Sequence, residues 1–159
     1  MEGSNKKTIP SPPLGLFCYA LNKDYLVVGG ALTNGGDLIQ WFKEVFLDED
    51  SQNCQKGQIG QKGQNTPIAD KRLNDLFQRL WNDIMDTYID DSNVSATSST
   101  IPSILPFFSG ERATGYHSDA TGTMTNITKQ TTKKDILLSI VESVSFRLYS
   151  IINLLVDYI

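Results

Sequence analysis

The sequence predicts a single domain of the α/β class, on three observations. Two short apolar runs, 14–21 and 25–28, flank a polar turn and together are typical of a β-hairpin. Apolar residues recur at helical spacing within 37–47 and again within 70–90. A long amphipathic helix is predicted to follow Thr132. With 159 residues, 40% hydrophobic and 20% charged, the chain is long enough and apolar enough for one packed core.

The charge distribution argues against two classes of partner. The formal net charge is −4, and the Lys and Arg residues are scattered without a basic stripe, so the chain lacks the positive field that nucleic acids require. Charged residues such as Glu142, Arg147 and Asp157 interrupt the last apolar helix, which makes a bilayer span implausible. We therefore expect neither a nucleic-acid partner nor a membrane partner.

Cysteine and histidine usage suggests a reducing compartment and no metal centre. Cys18 and Cys54 lie far apart in different contexts, so both are expected to be free thiols. His117 is the only histidine and no Cys/His cluster exists, so no metal ligand is assigned. Residues 1–13 are polar and Pro-rich without an apolar core, which predicts a disordered tail instead of a secretory signal. A cytoplasmic location is the expectation.

Local composition predicts the remaining loops, a strand and a helix start. The segment 48–66 carries a repeated Gln-Lys-Gly-Gln unit, and 91–100 is rich in Ser, Thr and Asn. Both have too few apolar groups to offset the entropy of ordering, so both are predicted to be mobile loops. Residues 101–108 are predicted to form a buried strand. Thr132 and Asp135 have the spacing of a capping box at the start of the last helix.

Three groups of residues are candidates for a functional site. The segment 29–36 has four glycines between a predicted strand and a predicted helix, but it lacks the spacing of a Walker A loop or a dinucleotide fingerprint. A tight turn that packs helix on strand remains the alternative. Glu111 and Arg112 follow an apolar run, which places a charged pair at a strand end. His117 is either an acid/base group or an exposed loop histidine without a role.

Three segments together resemble the C-terminal domain of the FGGY carbohydrate kinases, in the gluconate kinase or xylulose kinase branch. They are Gly-Gly-Ala-Leu-Thr-Asn-Gly-Gly at 29–36 before a Trp-containing helix, Leu-Pro-Phe-Phe-Ser-Gly-Glu-Arg-Ala at 105–113, and the pattern from Gly122 to Glu142. The last pattern departs at Asn126, where the family usually has Gly. Because Asn tolerates a positive φ, we expect the turn to be kept. The resemblance covers roughly residues 14–155, apart from the loop with the repeated Gln-Lys-Gly-Gln unit.

The resemblance implies a partial actin-like ATPase (ribonuclease H-like) domain over 14–159, preceded by the tail. It also implies ATP-dependent phosphoryl transfer, with Mg2+, to a hydroxyl of a sugar or sugar acid. By the same resemblance Gly36 and Gln40 lie near the nucleotide, while Gly29 and Gly30 shape that region. For each of the four residues, structural packing is the alternative interpretation.

Departures from the family limit what is expected of this chain alone. The family's Asp-Gly-Thr phosphate-binding hairpin and catalytic aspartate have no counterpart in residues 1–14, so no catalytic residue is assigned and the chain alone is expected to be inactive. Glu111 and Arg112 are expected to form an internal ion pair that orders the domain, and Thr121 stands where the family usually has an arginine. The alternatives are a non-catalytic remnant, an interaction module that pairs with a complementary kinase fragment through the last helix, or a truncated gene model.

Overall fold

The computed structural model describes residues 11–47, 67–89 and 101–158. Within these ranges the chain alternates short strands with helices, and the strands form two antiparallel pairs, β1 with β2 and β3 with β4. The elements are β1 (Phe17–Ala20), β2 (Leu26–Gly29), α1 (Gly36–Phe42) with a π-helical continuation (Lys43–Leu47), α2 (Pro67–Ile89), β3 (Ser103–Leu105), β4 (Thr123–Thr125) and α3 (Lys133–Tyr158).

The hairpin predicted at the start of the domain is confirmed, with strands of four residues each. Phe17 pairs with Gly29 at its open end. Its turn is held by Asn22, whose Oδ1 accepts hydrogen bonds from the backbone N–H groups of Asp24 (2.8 Å) and Tyr25 (2.9 Å). This is the local bonding that makes Asn a preferred turn residue.

The main hydrophobic cluster forms where α1, α2 and α3 meet. Leu38 and Phe42 lie one turn apart on α1 and are fully buried, so the helical spacing of apolar residues predicted within 37–47 provides a core-facing side. They pack with Leu137 and Ile140 of α3, and Ile84 is the contribution of α2 to the buried set. Burial of each such side chain is worth about 1.5–3 kcal/mol relative to exposure. This cluster therefore fixes the position of α1, on which two of the candidate site residues lie.

A second cluster packs the hairpin against the C-terminal half of α3. Its buried residues are Leu16, Ala113 and Ile151, and Val28 of β2 packs against them. Helix α3 thus belongs to both clusters and is the element that joins the hairpin to the rest of the described structure.

The structure corrects one predicted strand and confirms two local signals. The strand predicted over 101–108 is limited to Ser103–Leu105, since Pro102 and Pro106 flank it and proline donates no ladder hydrogen bond. Thr132 and Asp135 form the predicted capping box: the Thr132 N–H donates to the Asp135 carboxylate (2.7 Å), and the Asp135 N–H donates to Thr132 Oγ1 (3.3 Å). Asn126 has φ 60°, the positive value expected of a residue in place of glycine.

Several predictions concern parts of the chain outside the described residues. They are the tail up to residue 10, the loops 48–66 and 91–100, and the state of Cys54. Cys18 is a free, half-buried thiol on β1. Across the described ranges, no helix combines the length and apolar character needed to cross a bilayer.

Candidate functional site

Gly29 and Gly30 lie where the hairpin leaves β2 and passes close to neighbouring side chains. A Cβ built on Gly29 would be 2.8 Å from Cζ of Phe17, and one built on Gly30 would be 2.6 Å from Cγ2 of Ile151. Both distances are shorter than van der Waals contact allows. The absence of side chains here lets the chain approach a ring and a helix, so the structure gives these two glycines a direct packing role.

Gly36 and Gln40 lie on the open side of α1. A Cβ built on Gly36 would have no heavy atom within 4 Å beyond its own chain neighbours, and both residues are exposed. Residues four apart share one face of a helix. The Gln40 amide donates to Glu44 Oε1 (2.8 Å), one turn further along. The structure therefore brings Gly36 and Gln40 together and places Gly29 and Gly30 in a different environment.

A carboxylate orders the start of α1. Asp37 accepts hydrogen bonds from the Gly35 N–H (2.6 Å) and from the Asn34 side-chain amide (2.6 Å). Partial burial acts to raise the pKa of the Asp37 carboxyl, but these bonds and those from nearby backbone N–H groups outweigh it and hold the pKa below 3.8. Asp37 is therefore ionised at neutral pH, and a negative charge lies beside Gly36.

The segment 105–113 packs directly against the segment 29–36, the glycine-rich loop. The Ser109 N–H donates to Oδ1 of the buried Asn34 (3.2 Å), and the Ala113 N–H donates to the carbonyl of Ala31 (2.9 Å). Trp41 packs against the main cluster and lies 4.7 Å from the ring of Phe108, centroid to centroid. Two of the three segments that carry the family resemblance, 29–36 and 105–113, thus form one structural unit.

Glu111 was predicted to form an ion pair with Arg112, but its partner in the structure is a different arginine. Glu111 pairs with Arg147 of α3, whereas Arg112 points its side chain to an exposed position. The Arg147 guanidinium also donates to the carbonyl of Ala113 and lies over the ring of Phe107, 5.0 Å from its centroid. The Glu111 and Arg147 side chains are only 9% and 19% exposed, so the pair is largely shielded from solvent.

Sequence reasoning treated Arg147 only as a charge that disfavours a membrane span. The signal that could have identified it is its spacing on α3: it lies seven residues after the buried Ile140 and four before the buried Ile151, on the same face. An arginine on a buried face requires a partner. The nearby Gly-Glu-Arg segment was the available source of one.

A shallow cleft lies on the surface where the glycine-rich loop meets the 105–113 segment. Thr33, Phe107 and Arg147 are among the residues that line it. Thr33 Oγ1 is buried, and among the described residues it has no hydrogen-bond partner. His117 is exposed, and its carbonyl accepts the N–H groups of Glu111 (2.8 Å) and Ala120 (3.2 Å).

Sequence and structure comparisons find sugar kinases. The model of the FGGY family of carbohydrate kinases, C-terminal domain, matches residues 4–158. Gluconokinases of Bacillus licheniformis and Bacillus subtilis (strain 168) are each 23% identical over 136 residues, which is 86% of this chain and 22% of each relative. The chain therefore spans less than a quarter of the length of these relatives.

Two solved structures share the fold. The crystal structure of gluconate kinase from Lactobacillus acidophilus matches with a TM-score of 0.55 and 21% identity, over 91% of this chain and 24% of that one. The ligand-bound xylulose kinase from Lactobacillus acidophilus matches with a TM-score of 0.55 and 22% identity, over the same shares. These neighbours confirm the predicted α/β, actin-like ATPase fold, present here in part. Because the family model matches nearly the whole sequence, the chain belongs to the FGGY family of carbohydrate kinases and corresponds to their C-terminal domain.

Proposed function

We propose that this chain forms the nucleotide-facing part of an FGGY sugar kinase that transfers the γ-phosphoryl group of ATP to a hydroxyl of a sugar or sugar acid. The observation that carries the proposal is the open surface at Gly36 and Gln40, where backbone and a side-chain amide are both accessible. Family membership supplies the reaction class. The gluconokinase relatives make a sugar acid such as gluconate the first acceptor to test.

The surface suits the adenosine end of the nucleotide better than its phosphates. Gly36 leaves room for a flat ring to approach the backbone, and Gln40 offers both a donor and an acceptor on the same face. The ionised Asp37 carboxylate lies beside them and would repel phosphate groups. Gly29 and Gly30 contribute indirectly, by letting β2 pack closely enough to set the position of the loop that follows.

Metal binding and base catalysis are not assigned to these residues. Across the described ranges, no group of three His, Cys, Asp or Glu side chains could hold a metal ion, and no described residue is proposed as a Mg2+ ligand. No described residue is assigned as the base that takes the proton from the acceptor hydroxyl. We therefore propose that the chain alone is inactive. We also propose a cytoplasmic location, where the free thiol of Cys18 would remain reduced.

Nucleotide binding tests the assignment of the site. Titration with a fluorescent ATP analogue should show that Gln40→Ala weakens binding about 5- to 30-fold, the loss expected for one or two hydrogen bonds. Glu44→Ala is the matched control, since it removes the Gln40–Glu44 hydrogen bond but keeps the Gln40 amide. Equal affinity for wild type and Gln40→Ala, or an equal loss in both variants, would contradict the assignment.

Turnover tests the claim of inactivity. A coupled ATP-consumption assay on the purified chain with gluconate, pentuloses and glycerol should show no activity above background. Turnover that follows the protein through purification and depends on one acceptor would refute that claim and would identify the acceptor.

A second candidate function rests on an exposed apolar stripe of α3. Phe146, Tyr149, Ile152 and Val156 recur at helical spacing and are 53–68% exposed. The occupant that we propose is another part of an FGGY kinase, because this chain covers only 24% of the solved gluconate kinase with which it shares a fold. The chain would then act as an interaction module for a complementary kinase fragment.

Solution behaviour separates this second candidate from an isolated stable domain. Large exposed apolar patches mark interaction surfaces. If the chain is an interaction module, it should self-associate after purification, and Tyr149→Glu should reduce self-association. A monodisperse monomer that melts in one cooperative transition would contradict the interaction module.

A further inference from the structure

We propose that Arg147 is a positioning residue that holds the loop between β2 and α1 in place, and thereby orients the surface formed by Gly36 and Gln40. The effect on nucleotide binding rests on the proposed function above. The effect on the loop itself does not. The inference follows from a continuous set of contacts that begins on α3 and ends at the first turn of α1.

The first step links α3 to the 105–113 segment at three points. From one guanidinium, Arg147 binds the Glu111 carboxylate, donates to the carbonyl of Ala113 and covers the ring of Phe107. Hydrogen bonds between charged groups are the stronger kind, and an arginine presents them in a rigid planar arrangement. The backbone of this segment is thus attached to a helix that is itself anchored by the buried Ile151.

The second step links that segment to the glycine-rich loop. The N–H of Ala113, whose carbonyl is held by Arg147, donates to the carbonyl of Ala31. The N–H of Ser109 donates to Oδ1 of Asn34. Both Ala113 and Asn34 are buried, at 2% and 5% exposure, so water does not compete freely for these bonds.

The third step reaches α1. The amide of Asn34 donates to Asp37, and the same carboxylate accepts the N–H of Gly35. The first turn of α1 therefore takes its position from Asn34, and Asn34 takes its position from the segment that Arg147 holds. Gly36 lies within this turn.

Packing alone does not explain why α3 has a charged arginine at position 147. The flanking residues on the same face, Ile140 and Ile151, are apolar and buried, so this face of α3 packs through apolar side chains on both sides of Arg147. Buried ion pairs are weak evidence of stability, because desolvation offsets most of their attraction. What the charge adds is a defined geometry for the backbone at Glu111 and Ala113.

Hydrogen exchange in the unliganded chain tests the positioning role. The reporters are the amides of Gly35, Ser109 and Ala113, each of which donates a hydrogen bond in this set of contacts. Arg147→Ala should accelerate their exchange at least tenfold, while amides within α2 change less than twofold. Arg147→Lys keeps the charge but not the planar geometry and should lie between wild type and Arg147→Ala.

Two further variants separate positioning from general stability. The pair Glu111→Leu with Arg147→Met removes both charges together and should keep the denaturation midpoint near that of wild type, yet still accelerate exchange at Gly35. Lys134→Ala is the matched control, because it breaks the ion pair between Lys134 at the start of α3 and Asp83 of α2. It should leave the exchange rate of the Gly35 amide unchanged. Equal acceleration in α2 and at Gly35, or no change at Gly35 in the double variant, would overturn the proposal.

The nucleotide measurement stays separate from this result. If wild type binds the fluorescent ATP analogue, affinity should fall in the same order as exchange rises: Arg147→Lys, then Arg147→Ala. If wild type does not bind it, the proposed function fails, while the exchange rates at Gly35 still decide the positioning role of Arg147.

Discussion

Gly30→Ala tests whether the glycines after β2 serve packing or contact a ligand. The added methyl carbon would lie 2.6 Å from Cγ2 of Ile151, 3.0 Å from Cγ1 and 3.2 Å from Cδ1. Ile151 is only 5% exposed and is branched at Cβ, so it has little freedom to move away. The hairpin and α3 must separate slightly to accommodate the methyl group.

The expected cost follows from two opposing effects. Overpacking a well-packed contact costs about 1–3 kcal/mol. Replacing glycine by alanine restricts the unfolded chain and returns about 0.4–1 kcal/mol where the native φ and ψ suit alanine. We expect Gly30→Ala to lower the free energy of unfolding by roughly 1–2 kcal/mol. Gly36→Ala, which adds its methyl group to open space at a helical position, should instead raise it by about 0.4–1 kcal/mol.

Urea unfolding followed by circular dichroism measures both values, and a double-mutant cycle assigns the cause. Ile151→Ala alone should cost about 2–5 kcal/mol because it leaves a cavity. In the double variant the new methyl group occupies part of that cavity, so the combined cost should be less than the sum by more than about 0.5 kcal/mol. Additive costs, or a Gly30→Ala variant as stable as wild type, would refute the packing role.

Substitutions at three other positions have expected outcomes. Thr132→Ala removes one half of the capping box with Asp135 and should cost about 1 kcal/mol in urea unfolding, whereas Thr132→Ser should retain most of it. Asn126→Gly should leave the free energy of unfolding unchanged or raise it. Asn126→Ala should lower it by about 1–2 kcal/mol, because φ is 60° at this position. Equal free energies of unfolding for the two variants would contradict this expectation. Because the folded-state pKa of Asp37 lies below 3.8, its contribution to stability is present above that pH and is lost as the pH falls through the folded-state value. The difference in stability between wild type and Asp37→Asn should therefore shrink in acid unfolding below pH 3.8 and stay constant between pH 5 and 7.

The parts of the fold that were predictable depend on contacts between near neighbours. Asn22 binds N–H groups two and three residues away, and Thr132 binds Asp135 three residues away. The strand predicted over 101–108 is too long, because Pro102 and Pro106 interrupt the hydrogen-bond ladder within the apolar run.

The surroundings of the candidate site residues were not predictable from the sequence, for a related reason. The family resemblance assigned Gly29, Gly30, Gly36 and Gln40 to one region, but the start of a helix lies between the two pairs. Gly29 and Gly30 face Phe17 and Ile151, while the exposed face of α1 carries Gln40. Which neighbour a glycine meets depends on how the hairpin packs on α3.

The sequence by itself determined the α/β class, the turn and cap chemistry, and the family, because these depend on periodicity and on short motifs. Only the tertiary structure decided that Glu111 pairs with Arg147 instead of its neighbour Arg112. The two partners are 36 residues apart. The sequence shows which charged residues need a partner when they are buried. The packing of α3 against the 105–113 segment decides which oppositely charged side chain is close enough to be that partner.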